Sequence, residues 1–172
     1  GYYSARLADA LDCPLTGLDI SKEAVRCAAA KYKGKQWLCA TAAHIPVEDG
    51  SVDLMTSLFA LTLPEEFHRV LKPCGVLLLA IPLERHLWEL KATLYKTPYE
   101  NKVADTALPC FEFLGRTDVR FPMHFEDSAA IESLFKMTPY YYRTPKSAAE
   151  KIASLDALTV SAEFAILAYR KI

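Results

Sequence analysis

The chain has 172 residues, 52% hydrophobic and 24% charged, with a net charge of −1, which predicts one ordinary globular domain. The near-neutral charge excludes a strong overall field that would attract nucleic acid, so RNA affinity would have to come from a local patch. No run of 18 apolar residues could span a bilayer, so we expect no membrane partner.

The first half of the chain alternates helical and strand patterns. Tyr3, Leu7 and Leu11 recur at helical spacing, and Ser21 can cap a second helix. We predict helices over residues 2–11, 21–33 and 64–71, and strands over residues 15–19, 36–41, 52–57 and 76–81. Strands that alternate with helices at these lengths predict a mostly parallel sheet with right-handed crossovers.

The rest of the chain has a different pattern. Leu87, Leu90 and Leu94 align on one helical face, which predicts a helix over residues 85–95. Two more helices are predicted over residues 127–135 and 145–155, and strands over residues 111–121 and 158–169. Residues 96–109 show no periodicity. We therefore divide the domain into a cofactor-binding half, residues 1–84, and a substrate-side half with the last two strands, residues 85–172.

Five cysteines are present, with no CxxC pair and no Cys/His cluster at zinc spacing: Cys13, Cys27, Cys39, Cys74 and Cys110. This pattern predicts no metal site in the chain. Unpaired thiols fit a reducing compartment, so we expect a cytoplasmic protein. We interpret all five as packing residues, because free cysteine is usually buried.

Asp19 ends a short apolar strand, and Gly1 precedes it at nearly the spacing found in nucleotide-binding folds. In those folds a glycine-rich turn is followed about 20 residues later by an acid that binds ribose hydroxyls. The alternative is a plain acid at a helix N-terminus, stabilised by the helix dipole. The strand and other glycines that should precede Gly1 are missing, so we expect a cofactor-binding domain that lacks its front.

Ligands of open α/β sheets bind beyond the carboxyl ends of the strands. This rule selects Asp19, the loop at 41–46, and residues 57–61 and 82–86. Arg85 and His86 would face the cofactor or a substrate phosphate. The alternative is a surface pair at the start of a helix.

A basic rim is a second candidate surface, formed by Arg116, Arg120, Arg143, Lys146 and Lys151. Tyr140, Tyr141 and Tyr142 could offer stacking faces for nucleic-acid bases beside it. A solvated face over partly buried tyrosines explains the same pattern equally well.

Together these residues resemble the class I S-adenosylmethionine-dependent methyltransferase fold, a Rossmann-like α/β sheet, mostly parallel with an antiparallel C-terminal strand. Gly1 looks like the last glycine of its first motif and Asp19 like its ribose-binding acid. The segment 41–46, Thr-Ala-Ala-His-Ile-Pro, resembles the adenine-side loop. The segment 66–75, Glu-Phe-His-Arg-Val-Leu-Lys-Pro-Cys-Gly, resembles the common lead into the fifth strand.

Narrower segments resemble the 23S rRNA guanine-N1 methyltransferases of the RlmA family: Tyr2-Tyr3, Arg85-His86-Leu87, Glu89-Leu90-Lys91, Tyr95 and Met137-Thr138-Pro139. The resemblance implies a bacterial cytoplasmic enzyme and a homodimer. It implies methyl transfer from S-adenosylmethionine to N1 of a guanine in a 23S rRNA hairpin loop. It also implies an N-terminal zinc module outside this chain, so the chain would be an N-terminally truncated piece. We therefore expect weak or absent cofactor binding by this chain, and no activity.

The resemblance implies cofactor contacts at Gly1, Asp19, Ile20, Thr41, Ala42, Ser57 and His86. We expect substrate contacts at Phe59, Arg85, Tyr140 and Arg143. Guanine N1 carries a proton, so a general base or tautomer stabilisation is required. That base is unknown, with His44, Glu84 and His86 as candidates. Cys74 replaces a family glycine, which is compatible with a negative φ.

Three alternatives remain at this stage. A small-molecule S-adenosylmethionine-dependent methyltransferase would share the core but lack a basic rim. A non-catalytic α/β domain would bind no cofactor. A dinucleotide oxidoreductase would share the acid, but nothing in the sequence matches a nicotinamide-binding half.

Overall fold

A computed structural model describes residues 1–103, 105–142 and 144–172. In chain order the elements are α1 (Tyr2–Leu11), β1 (Thr16–Asp19), α2 (Lys22–Lys31), β2 (Gln36–Cys39), β3 (Val52–Leu58), α3 (Pro64–Val70), β4 (Leu71–Pro82), α4 (Trp88–Leu94), β5 (Phe111–Phe125), α5 (Ser128–Met137), α6 (Lys146–Ala153) and β6 (Leu158–Lys171). The predicted helices and strands are therefore present, in the predicted order. The largest shift is at β4, which begins at Leu71 instead of residue 76. The start of α4 is also late, because it follows a turn in which Leu87 has a left-handed φ of 55°.

Two groups of strands are hydrogen-bonded. β1 pairs with β2 in parallel, with Asp19 opposite Cys39, and the second group has the order β3-β4-β6-β5. The amide of Leu83 donates to the carbonyl of Glu163, and the amide of Leu87 donates to the carbonyl of Ser161. A residue later in the first segment thus pairs with a residue earlier in the second. β6 therefore runs antiparallel to the chain leaving β4, as the resemblance implied.

The chain forms two compact units. The first unit comprises Gly1–Leu79, Thr106–Gly115 and Ala168–Ile172, and the second comprises Ala80–Asp105 and Arg116–Leu167. β5 and β6 each contribute one end to the first unit. The division into a cofactor-binding half and a substrate-side half at residue 84 stays a prediction.

Within residues 1–58 of the first unit, the buried positions are occupied by small residues. Ala5, Ala8 and Ala28 are its buried helical side chains, and the ring of Trp37 lies against Gly17. A Cβ atom at Gly17 would lie 2.3 Å from Cζ3 of Trp37, and one at Gly1 would lie 2.6 Å from Cη2. Both glycines therefore allow the indole ring to approach the backbone closely.

Large apolar residues form the core of the second unit: Leu87, Leu90, Leu94, Ile131, Phe135, Tyr140, Ile152 and Val160. Within this unit Lys91 is also fully buried. Its ammonium group donates to the backbone oxygen of Tyr99 at 2.9 Å and to Oδ1 of Asn101 at 2.7 Å. The ammonium also lies 4.4 Å from the centre of the Tyr99 ring, and burial lowers the pKa of Lys91.

Asn101 connects this buried lysine to the end of β4. Its backbone amide donates to the carbonyl of Glu84 at 2.8 Å, and its side-chain amide donates to the carbonyl of Leu83 at 2.7 Å. Part of the segment without periodicity, residues 99–101, is therefore fixed beside the turn that carries Arg85 and His86.

The cysteine predictions are wrong in two respects. All five thiols belong to exposed residues, so they are not packing residues of this fold. Cys74 has a φ of 62°, a left-handed value, so the condition of a negative φ is not met. The general tendency of free cysteine to be buried does not predict which face of a helix or strand each cysteine occupies.

Candidate cofactor and substrate site

Asp19 is exposed at the carboxyl end of β1. Its Oδ1 atom accepts a hydrogen bond from the amide of Ser21 at 2.8 Å, and Ser21 caps α2 by accepting from Ala24. Among the described residues, Oδ2 makes no hydrogen bond, and a carboxylate has acceptor capacity beyond one bond. The carboxylate therefore fits a ribose diol.

Ile20 and Thr41 follow the ends of the two paired strands. Ile20 is 78% exposed, an unusual position for a large apolar side chain beside a charged one. Thr41 is exposed, and its hydroxyl accepts a hydrogen bond from the amide of Ala43 at 3.2 Å. Because the amide of Ala40 bonds to the carbonyl of Asp19, the parallel pairing brings the acid next to the 41–46 loop. Ala42 lies there, half-buried.

Arg69 holds the chain that follows this loop. Its guanidinium donates to the Ile45 carbonyl at 2.8 Å, to Asp49 at 2.5 Å and to Glu66 at 2.6 Å. Glu66 in turn accepts from the amide of Ile45 at 2.6 Å. The hydrogen bond from Arg69 lowers the pKa of Glu66 to about 2. Sequence reasoning missed this role, although the spacing of Glu66 and Arg69 on one helix face was a usable signal.

Ser57 and Phe59 lie at the end of β3. Ser57 is half-buried within the strand, and Phe59 is 50% exposed with a left-handed φ of 54°. A non-glycine residue with positive φ is strained, and such strain is frequent at ligand-binding positions. These residues, with Gly1, Asp19, Ile20, Thr41 and Ala42, all belong to the first unit.

Arg85 and His86 belong to the second unit. Arg85 is exposed, with its guanidinium 4.8 Å from the centre of the Trp88 ring. His86 is half-buried, and its Nδ1 accepts a hydrogen bond from the amide of Glu163 at 3.1 Å. Burial, together with the charge of Lys91, lowers the pKa of His86, which therefore stays neutral at pH 7 with its proton on Nε2.

Tyr140 does not provide the predicted stacking face. It is 9% exposed in the core of the second unit, packed edge-on against Tyr95 with the Lys91 ammonium 5.5 Å from its ring centre. Burial raises the pKa of Tyr140 to about 12. Its neighbours Tyr141 and Tyr142 are exposed instead. Arg143, the other predicted substrate residue of this segment, lies outside the described residues.

Part of the predicted basic rim is paired with acid. Arg116 and Arg120 both bond to Asp118, at 2.6 Å and 2.9 Å. The candidate bases His44 and Glu84 are exposed, and His44 lies close enough to Glu66 to contribute to its lowered pKa. Neither one is buried, as a general base tuned by desolvation would be.

Within the described ranges, no group of three or more His, Cys, Asp or Glu side chains could hold a metal ion. None of the helices in those ranges has both the length and the apolar character needed to cross a membrane.

Residues 1–79 match the family of methyltransferase domains. A Bacillus subtilis protein with the provisional name 23S rRNA (guanine-N(1)-)-methyltransferase YxjB is 29% identical over 157 residues, covering 88% of this chain and 55% of that protein. The 23S rRNA (guanine(748)-N(1))-methyltransferase of Streptomyces fradiae is 29% identical over 176 residues, covering 96% of this chain and 62% of that protein. The chain thus spans between 55% and 62% of the length of these two relatives.

Solved structures share the fold. A SAM-dependent methyltransferase of Thermotoga maritima superposes with a TM-score of 0.52 at 17% identity, covering 98% of this chain and 78% of that one. The chain therefore has the fold of the S-adenosylmethionine-dependent methyltransferases, as the sequence predicted. The comparisons also confirm its resemblance to 23S rRNA guanine-N1 methyltransferases.

Proposed function

We propose that the chain is the methyltransferase domain of an enzyme that methylates N1 of a guanine in a 23S rRNA hairpin. The observation that carries this proposal is the likeness to relatives of that name over 88% and 96% of the chain. The relatives are longer than the chain, so we assign the activity to the full-length product of its gene. The substrate also leads us to propose a cytoplasmic location.

Bound S-adenosylmethionine would supply an electrophilic methyl group on a sulfonium. Asp19 would bind the ribose diol of this cofactor, and the exposed side chain of Ile20 would pack against its adenine. Thr41 and Ala42 would line the adenine side, with Gly1 and Ser57 near the rest of the molecule. The exposed carboxylate beside an exposed aliphatic side chain supports this assignment, because a nucleoside needs both kinds of contact.

Arg85 and His86 would contact the ligands from the second unit. Neutral His86 would donate from Nε2 to the cofactor, because its Nδ1 already accepts from the Glu163 amide. Arg85 would contact an RNA phosphate through its exposed guanidinium. Phe59 would stack on an unpaired base, a contact that aromatic side chains commonly make with RNA loops.

Calorimetric titration of S-adenosylmethionine tests the cofactor assignment. The titration uses this chain and the full-length gene product, each with and without Asp19→Asn. We expect the substitution to weaken binding at least tenfold, since hydrogen bonds to charged groups contribute about 1.5–3 kcal/mol. Asp53→Asn is the matched control, because Asp53 is an exposed acid of the same unit that pairs with Lys72. Absence of binding by both wild-type proteins would refute the assignment.

Transfer of a labelled methyl group to unmodified 23S rRNA tests the reaction, with digestion and mass spectrometry to identify 1-methylguanosine. Cofactor binding without any labelled RNA would instead favour a small-molecule methyltransferase. We also propose a homodimer, from the family resemblance alone. Sedimentation of the full-length product at several concentrations tests it, and a monomer at all of them would contradict it.

A further inference from the structure

A shallow, open cleft of about 250 Å³ lies in the second unit, lined by Arg120, Phe121 and Pro122 of β5 and by Ser161 and Glu163 of β6. This volume is below the roughly 300–1,000 Å³ of typical small-molecule sites. It suits one planar ring system, such as a base that has been turned out of an RNA loop.

The backbone of Glu163 is fixed on both sides. Its amide donates to Nδ1 of His86 at 3.1 Å, and its carbonyl accepts from the amide of Leu83 at 3.0 Å. The backbone that carries this carboxylate is therefore hydrogen-bonded to the turn that contains Arg85 and His86. An acid at this position would be next to the residues that we expect to contact the cofactor.

The carboxylate of Glu163 keeps its hydrogen-bonding capacity. Its side chain is 23% exposed, and its nearest cation is Arg120, with Nε 4.0 Å away. That distance is too long for a hydrogen bond. Within the part of the chain that the structure describes, the carboxylate accepts no hydrogen bond, while Arg120 is held by Asp118 at 2.9 Å.

Ser161 gives the cleft a fixed polar floor. Ser161 is held by Glu89, which accepts from its amide at 2.7 Å and from its hydroxyl at 2.8 Å. The hydroxyl hydrogen is therefore committed, and Ser161 presents only acceptor capacity to a ligand.

These groups match the edge of guanine. Guanine N1–H and the 2-amino group both donate, so one carboxylate can accept both bonds, and O6 next to them can accept from an arginine. Adenine has an acceptor at N1, which a carboxylate would repel. We propose that this cleft receives the target guanine, with Glu163 on N1–H and the 2-amino group and Arg120 on O6.

Glu163 is then the general base of the methyl transfer, a step that rests on the proposed function. The N1–H proton passes to the carboxylate while the N1 electron pair forms the new bond to the methyl carbon. The electron pair of the sulfur–methyl bond stays on sulfur, which turns the sulfonium into a neutral thioether. The product has no N1–H to donate, so it loses a hydrogen bond to Glu163 and is released more readily.

Ligand-observed NMR tests the cleft without any chemistry. Wild-type chain is titrated with guanosine 5′-monophosphate, adenosine 5′-monophosphate and 1-methylguanosine 5′-monophosphate. We expect millimolar binding of the first and at least tenfold weaker binding of the other two. Glu163→Gln should weaken binding of the guanine nucleotide about tenfold. Glu112→Gln, which removes another strand glutamate paired with an arginine, should leave it unchanged. Absence of guanine binding, or equal binding by the Glu163 variant, overturns the proposal.

Methylation of unmodified 23S rRNA by the full-length gene product tests the role of Glu163 separately from the proposed function. Loss of a general base should lower kcat about a hundredfold. The KM for S-adenosylmethionine and the unfolding temperature should not change, and Glu112→Gln should match wild type. A Glu163→Gln enzyme within threefold of wild type refutes the role of Glu163 while the proposed function stands. A wild-type enzyme that makes no 1-methylguanosine refutes the proposed function, and the nucleotide titration still decides whether the cleft binds guanine.

Discussion

Residues 1–58 and the core of the second unit bury different kinds of side chain. In residues 1–58 the buried positions are Ala5, Ala8, Gly17 and Ala28, whereas the second unit buries leucine, isoleucine, phenylalanine and tyrosine. Buried apolar area contributes about 25 cal/mol per Å², so the second core contributes far more to stability. The cofactor-side region depends instead on close backbone contacts and ion pairs.

The largest test of this comparison substitutes one leucine in each region. Leu90 is fully buried and Leu11 is 52% exposed. We expect Leu90→Ala to lower the free energy of unfolding by about 2–5 kcal/mol, because it removes buried atoms and leaves a cavity. Leu11→Ala should cost less than about 1 kcal/mol. Urea unfolding measures both, and equal losses would contradict the difference between the two regions.

The ion pairs of the first unit are tested at Glu66. Glu66→Gln should cost about 1.5–3 kcal/mol at pH 7, because it removes a charged partner of Arg69. The pKa of Glu66 lies below its ordinary value of 4.5, at about 2. Its stabilisation is therefore present above pH 4.5 and is lost as the pH falls towards 2. The unfolding free energies of wild type and variant should converge over that range. The exposed Glu65→Gln serves as the control and should show little difference at either pH.

Close backbone contact is tested at Gly17. A methyl group there would lie 2.3 Å from the rigid ring of Trp37, so Gly17→Ala should cost about 1–3 kcal/mol. Gly115→Ala meets no atom within 4 Å and should be neutral or slightly stabilising. Thermal unfolding of both variants measures the difference. A harmless Gly17→Ala would show that the indole ring moves freely, and the proposed dependence on close contact would fail.

The smallest expected effect is an increase in the free energy of unfolding. Cys74 has a φ of 62°, a conformation that glycine adopts without strain, so Cys74→Gly should stabilise the chain by up to about 1 kcal/mol. Cys27→Gly, in the middle of α2, should destabilise by about 0.5–1 kcal/mol. Opposite signs in urea unfolding would support strain at Cys74, and a loss in both variants would exclude it.

Hydrophobic periodicity predicted the elements because each repeat reports locally on helix or strand. It could not find the late start of α4, since the turn before it depends on the left-handed backbone of Leu87. The burial of Tyr140 was also out of reach, because Tyr95 and Lys91 reach it only through tertiary packing. The sequence likewise gave no sign that the five thiols would be exposed.

The residues of the candidate site also differ in how far a local pattern can report them. Asp19 was predicted from its spacing and its strand, and it lies exposed at the strand end. The contacts of Arg69 with Ile45 and Asp49 join segments about 20 residues apart, which no local pattern reports. Glu163, which we propose as the general base, was not among the predicted residues, because it alternates with apolar residues in β6 like any solvent-facing strand residue.

Because Lys91 is buried, its rate of labelling by an amine reagent reports how often its surroundings open. Lys96 and Lys102 are exposed on either side of the segment that Asn101 fixes, so an acylating reagent should modify them early. Lys91 can react only after its bonds to Tyr99 and Asn101 open, and the delay between its labelling and theirs reports how often that happens. One mass spectrometry experiment would thus measure, in the native protein, the lifetime of the contact that steadies the turn bearing Arg85 and His86.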